Sequence, residues 1–215
     1  MGTKDKILEA ALELFSKQGV KAVSVRDISS IVGVRESAMY RHFPSKQSVF
    51  DQLLQNYLES SKEFFAGINA QPSSGKTEQE HTAALYEQLN DKEFLRICGS
   101  VFTDFLTQPD IIKFWRMMSI ERLDNQHLAG IWKTHLFEEP LAFQTDMFCM
   151  LIGLGKIKPA DPEMLALEFY SPTLLLYINA LPYQPGSPEF KQFTECTNRH
   201  MKHFRETYAM LVASG

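Results

Sequence analysis

An all-helical protein in two parts is the fold class predicted for this 215-residue chain, and three observations predict it. Apolar residues recur at three- and four-residue steps wherever a clear period exists, and no stretch alternates in the two-residue manner of a strand. At 44% apolar and 22% charged, the sequence can bury a sizeable core, which excludes a disordered tail. Charge is split along the chain: residues 1–50 hold eight Lys or Arg and five Asp or Glu, a balance of +3, within a total of −4. The remainder is therefore −7, which suits a basic front on an acidic body.

The first helix is expected from Lys6, where KILEAALELFSKQG puts Ile7, Ala11, Leu14 and Phe15 on one face and Gly19 supplies the stop. Ser24 caps the next helix, Asp27 completes a capping box three residues on, and Val25, Ile28 and Ile31 form its apolar side. Gly33 takes the turn, because a left-handed backbone costs glycine little. A short helix then runs from about Glu36 to His42, leaving at the steep angle that lets one helix enter a major groove. SVRDISSIVGVRESAMYRHFPSK, residues 24–46, is thus the outline of a helix-turn-helix that holds duplex DNA with the polar face of its second helix.

After Pro44, Ser45 starts a further helix whose Val49, Leu53, Tyr57 and Phe64/Phe65 keep the period to about Ala66, a rod joining head to body. NAQPSSGKTEQ, 69–79, is the clearest loop, so the domains are placed at 1–66 and 67–215. Candidate helices of the body are 77–89, 91–107, 109–122, 125–136, 140–153, 161–180 and 187–213, parted by Pro109, Pro140, Gly153/Gly155, Pro159 and the PYQPGSP turn. Along the last, Phe190, Phe193, Thr197, Met201, Phe204, Tyr208 and Leu211 form one aromatic-rich stripe that needs a partner surface, in its own subunit or another. The penultimate helix is equally rich in Leu and aromatics, and Pro172 is expected to kink it.

The KILEAALELFSKQG helix, SVRDIS, the VGV turn, AMYRHF and PSKQSVFDQLL together resemble the amino-terminal domain of TetR-family transcriptional regulators, over about the first 60 residues. The resemblance implies an all-α protein: a three-helix DNA-binding head joined to a larger helical bundle that binds an effector and dimerises. It implies that Tyr40 and Lys46 hold phosphates and fix register, Lys46 also through free amides at a helix start. Arg26 is then placed for the backbone or an outer base edge, and Ser37, Ala38, Arg41 and His42 are groove residues, with Arg41 gripping guanine or a phosphate. Ile28, Ile31, Met39 and Phe43 are expected in the core.

Two positions depart from the family pattern. Arg35 stands where a small polar cap is usual, and Glu36 follows, so Ser37 can cap a shortened helix while Glu36 serves as a solvated counter-charge to Arg35.

By the same resemblance the last two helices of each of two subunits form a four-helix interface, with Phe193, Thr197, Met201, Phe204, Tyr208 and Leu211 in it. The duplicated head then addresses a palindromic operator as a repressor, which a small effector releases. Phe102, Phe105, Phe114, Trp115, Met118, Phe143, Met147 and Tyr170 make the middle of the body aromatic and thioether-rich, favouring an apolar or aromatic effector or simply a packed core. The rival readings are a ligand-independent DNA-binding or protein-recruiting factor of the same fold and a lipid-carrying bundle with a vestigial head.

The sequence has no Gly-rich phosphate loop, no HExxH and no GxSxG, so neither an enzyme nor a cofactor is expected. Cys196, His200 and His203 share a flank of the last helix at metal-compatible steps, but no carboxylate or second cysteine completes a set, and no metal is assigned. Three unpaired cysteines and apolar runs far below the roughly 20 residues of a bilayer span fit a cytoplasmic protein.

Overall fold

A computed structural model describes residues 2–69 and 104–208, with side chains from 2–64 and 104–208. The expected helix at 77–89 and most of that at 91–107 lie outside the described residues. The described secondary structure is entirely helical: α1 (Thr3–Gln18), α2 (Val25–Val32), α3 (Glu36–Tyr40), α4 (Lys46–Asn69), α5 (Pro109–Glu121), α6 (Gln126–Lys133), α7 (Glu139–Gly153), α8 (Pro162–Ala180) and α9 (Pro188–Tyr208). A π-helical turn, Thr134–Glu138, continues α6 into α7.

The chain forms two compact units. The first is Met1–Ala66 with Gln108–Trp132, and the second is Gly67–Thr107 with Lys133–Gly215. The first unit is thus larger than the head expected at 1–66, because α5 packs on α1 and closes its core. Three short helices alone bury little apolar surface; α5 adds Ile111, Ile112, Phe114, Trp115, Met117 and Met118, all buried. Tyr57 of α4 stacks on Phe114 at 4.2 Å between ring centroids.

Local signals set the ends of the first helices. Gly19 ends α1 at φ 79°, its N–H donating to Phe15 O, and the approach there is close: a β-carbon would stand 2.9 Å from Glu121 Oε1. At α2, Asp27 N–H donates to Ser24 Oγ (3.1 Å) and Ser24 N–H to Asp27 Oδ2 (2.8 Å), the reciprocal capping box the sequence announces. The Ser24 hydroxyl and N–H, both donating to it, hold the Asp27 carboxyl below its ordinary pKa. Gly33 adopts the left-handed conformation (φ 74°, ψ 32°); its N–H reaches Ser30 O and the Val34 N–H reaches Ser29 O, a Schellman ending. Nothing lies within 4 Å of a β-carbon built at Gly33, so the cost of a side chain there is conformational. Gly33→Ala should therefore lower stability by about 1 kcal/mol, measured as a shifted denaturant midpoint at unchanged slope.

In the second unit α7, α8 and α9 pack together. Asp161 caps α8, accepting from the N–H of Glu163 and Met164, and the helix runs on through Pro172. Proline removes the N–H that would meet Glu168 O and disturbs the neighbouring carbonyls. From α9, His200 Nε2 lies 2.9 Å from Phe169 O and donates to it across the helix pair.

The expected dimer stripe faces inward here. Phe193, Thr197 and Met201 are buried, and Phe204 is 4% exposed, within 5.5 Å of Phe148 and 5.1 Å of Phe169 between ring centroids. Phe193, Thr197, Met201 and Phe204 are covered by α7 and α8 of the same chain. Tyr208 is half-buried and donates its hydroxyl to Glu168, and Leu211 lies outside the described residues.

Candidate DNA interface

The head presents a polar face over an apolar anchor. Met39 and Phe43 are buried, while Arg26, Ser37, Tyr40, Arg41 and His42 are exposed and Ala38 is half-buried. Ser37 and Arg41 are one turn apart and so lie on one side of the short helix. Arg35 takes the cap position with extended backbone and no side-chain hydrogen bond, so α3 begins at Glu36 and Ser37 does not cap it. The helix also ends earlier than His42: the N–H groups of His42 and Phe43 both turn back to Met39 O at 2.9 Å. Pro44 disfavours helical backbone at Phe43, which accounts for the stop. Arg35 and Glu36 are both exposed, and no direct ion pair joins them among the described residues. Ile31, expected in the core, is 59% exposed: α2 meets its neighbours through Ile28 and Ser29 instead.

Lys46 has a different task from the one its charge suggests. Its Nζ donates to Val20 O and Val23 O, both at 2.6 Å, and lies 3.4 Å from Lys21 O. The ammonium is a clamp on the loop between α1 and α2. The same loop is held from α5, where Glu121 Oε1 accepts the Val20 N–H at 2.7 Å, and from beyond it, where Asp124 pairs with Lys21 at 2.8 Å. Each of these groups lies some hundred positions from the loop in sequence, and no local pattern marks them. At the start of α4, Ser45 and Ser48 cap each other reciprocally. The Lys46 and Gln47 N–H groups have no intrahelical acceptor there, as at every helix start. In this structure the Lys46 ammonium is engaged by loop carbonyls, while its backbone N–H stands among the free amides of the helix start.

The candidate effector residues fall in both units. Phe114, Trp115 and Met118 are buried in the first, and Phe105, Met147 and Tyr170 in the second, where Tyr170 donates its hydroxyl to Leu136 O at 2.9 Å. Phe143 is exposed, and Phe102 lies outside the described residues. A surface cleft of about 440 Å³ in the first unit is lined by Lys6, Glu9, Ala10, Glu13, Ile31, Val32 and Lys113, none of which the sequence suggests as a ligand residue. Among the described residues no group of three His, Cys, Asp or Glu could hold a metal ion, and His200 is committed to Phe169 O. No described helix is long and apolar enough to cross a membrane.

Comparison with known proteins bears on both the head and the whole fold. The family model described as bacterial regulatory proteins, tetR family, matches residues 7–53. The HTH-type transcriptional repressor KstR2 of Rhodococcus jostii (strain RHA1) is 36% identical over 58 residues, 27% of this chain and 28% of that protein. The negative transcriptional regulator IcaR of the biofilm operon icaADBC in Staphylococcus aureus is 39% identical over 49 residues, 23% of this chain and 26% of IcaR. The chain therefore matches only about a quarter of the length of these relatives. A TetR-family regulator from Mesorhizobium loti shares the fold at a TM-score of 0.65 and 16% identity, covering 96% of both chains. A regulator from Saccharomonospora viridis in complex with choline gives 0.61 at 20% identity, covering 94% of this chain and 95% of that one. A SmeT–triclosan complex gives 0.64 at 16% identity over 100% and 97%. At such identities the likeness speaks of fold alone.

Proposed function

We propose that the chain, whose residues 7–53 match the tetR family model, is a TetR-family regulator, a DNA-binding protein and not an enzyme, acting as a homodimeric repressor of a palindromic operator released by a small, largely apolar effector. The observation that carries the reading is the head: a boxed α2, a left-handed Gly33 and a short α3 whose buried Met39 and Phe43 hold Ser37, Tyr40, Arg41 and His42 outward. An α-helix presented in this way fits the major groove, and its exposed side chains meet base edges and flanking phosphates.

In this reading Arg41 reads guanine, Ser37 and Ala38 line the groove, His42 and Arg26 stand at its edges, and the Tyr40 hydroxyl bonds a phosphate. The test is anisotropy titration on an operator drawn from neighbouring promoter DNA and on its single-base variants. Arg41→Ala is expected to cost about 1–3 kcal/mol on the parent operator and to flatten the preference at one base pair of each half-site. Tyr40→Phe should weaken all sequences alike. Equal loss on every variant after Arg41→Ala would make Arg41 a second phosphate anchor, and no preferred DNA for the parent chain would end the reading.

For the dimer we place the contact on the outer side of α8. Met164, Leu167 and Leu175 are exposed there, Ser171 lies between them and Ile178 is half-buried, at three- and four-residue steps along one face. Such a row is self-complementary about a two-fold axis, as an isologous interface requires. Choline and triclosan bound to relatives of this fold support a small-molecule effector here.

A further inference from the structure

We infer that the effector carries a carboxylate on an aromatic or apolar body, recognised by the Trp115 indole N–H and the Arg122 guanidinium beside Trp132. The inference rests on the effector-released regulator proposed above and names the chemistry of its ligand.

Trp115 is 0% exposed, and its Nε1 has no hydrogen-bond partner; neither has the buried Nε of Arg122. Both side chains border one ring. Trp115 meets Trp132 edge-on at 5.4 Å between centroids, and the Arg122 guanidinium lies 4.5 Å over the same indole. Tyr57 closes the cluster at 5.1 Å from Trp115, and Phe114 at 5.3 Å. Two donors without a hydrogen-bond acceptor thus border the Trp132 indole, and among the described residues no Asp or Glu pairs with Arg122.

A buried indole N–H ordinarily finds an acceptor, and so does the buried Nε–H of a half-exposed guanidinium. A planar carboxylate matches the guanidinium fork and also accepts from an indole. A phosphate dianion would have to shed far more hydration to lie against four aromatic rings, so the ligand class is the carboxylic acid. Trp115 and Arg122 are two turns apart on the α5 side, about 10.5 Å along a helix axis, and the long Arg122 side chain, lying over Trp132, brings its guanidinium to the ring that Trp115 also touches. Arg122 also directly follows Glu121, which holds the Val20 N–H ahead of the reading head, so an acid drawing on Arg122 pulls at the end of that clamp.

Trp115 and Trp132 are the only two tryptophans of the chain, which makes intrinsic emission a reporter of this cluster. The probes are phenylacetate and octanoate, with phenylacetamide and octanamide as neutral counterparts, titrated against the full-length protein with and without operator DNA. The acids should change the emission and release DNA, and the amides should bind at least tenfold more weakly. Arg122→Gln should erase the difference between acid and amide, Arg122→Lys should keep part of it, and Trp115→Phe, which removes the N–H and leaves Trp132 to report, should weaken acids several-fold. Equal affinity for acid and amide, or Arg122→Gln with unchanged acid binding, would overturn the inference. So would a parent that ignores all four probes. A parent released from DNA by the amides as readily as by the acids would sink the carboxylate while leaving the regulator intact.

Discussion

Lys46→Met is expected to weaken binding to every DNA sequence together and to lower the stability of the first unit by about 2–3 kcal/mol. Three backbone carbonyls, those of Val20, Lys21 and Val23, converge on Nζ, and the loop they belong to leads into α2. A charged donor to a carbonyl stabilises more than a neutral one, and a thioether of similar length restores none of it. Loosened, the loop no longer sets α2 and α3 against α1, so affinity falls through disorder in the head. The salt dependence tells the two roles apart. A direct phosphate contact through the ammonium would, when lost, reduce the slope of log affinity against log salt by about one. The clamp predicts an unchanged slope, a lower thermal midpoint and a general loss of affinity; a stable variant with a reduced slope would show the ammonium on the DNA after all.

A pair of substitutions in the second unit should produce opposite outcomes. Phe204→Asp is expected to prevent that unit from folding, because removing a buried phenyl ring costs about 3–5 kcal/mol and a carboxylate among Phe148, Phe169 and Tyr208 adds its own desolvation. Loss of near-ultraviolet circular dichroism would report it. Leu175→Asp, on a side chain 70% exposed, should leave the stability of the subunit within about 0.5 kcal/mol. It should nevertheless shift the protein to monomer in sedimentation and weaken operator binding, since two heads joined in one dimer bind far better than two separate ones. If Leu175→Asp sediments with the parent, the contact between subunits lies elsewhere. If Phe204→Asp folds, the stripe on α9 is not the core it looks to be.

The helix-turn-helix was legible because its signals are local. Ser24 and Asp27 cap each other across three residues, and Gly33 does at the turn what only glycine does cheaply, so neither needs a distant partner to be recognised. The exposure of the residues proposed to read DNA follows from the same pattern once Met39 and Phe43 are known to face in. Other expectations failed where position depends on remote chain segments. Ile31 shares the period of Ile28, yet it is left 59% exposed beside the cleft. Of the charge and the free amides expected at Lys46, the charge is engaged by three carbonyls of the loop before α2, which no local pattern announces. The capping role expected of Ser37 went to Arg35, whose backbone alone begins α3.

From its residues alone, then, this chain reveals an all-α architecture, a DNA-reading head near its front and an aromatic stripe that has to be covered. Only the packed fold decides what covers it. A period of apolar side chains states that one face of a helix must leave water, since that follows from the helix's own geometry. It does not state which neighbour arrives, because hydrophobic burial has no direction and every apolar surface of the right shape satisfies it. Here α7 and α8 arrive first at the stripe of α9, and α5 comes back to complete the head. The residues left outward on α8, and the two donors left without acceptors beside Trp132, are consequences of that choice.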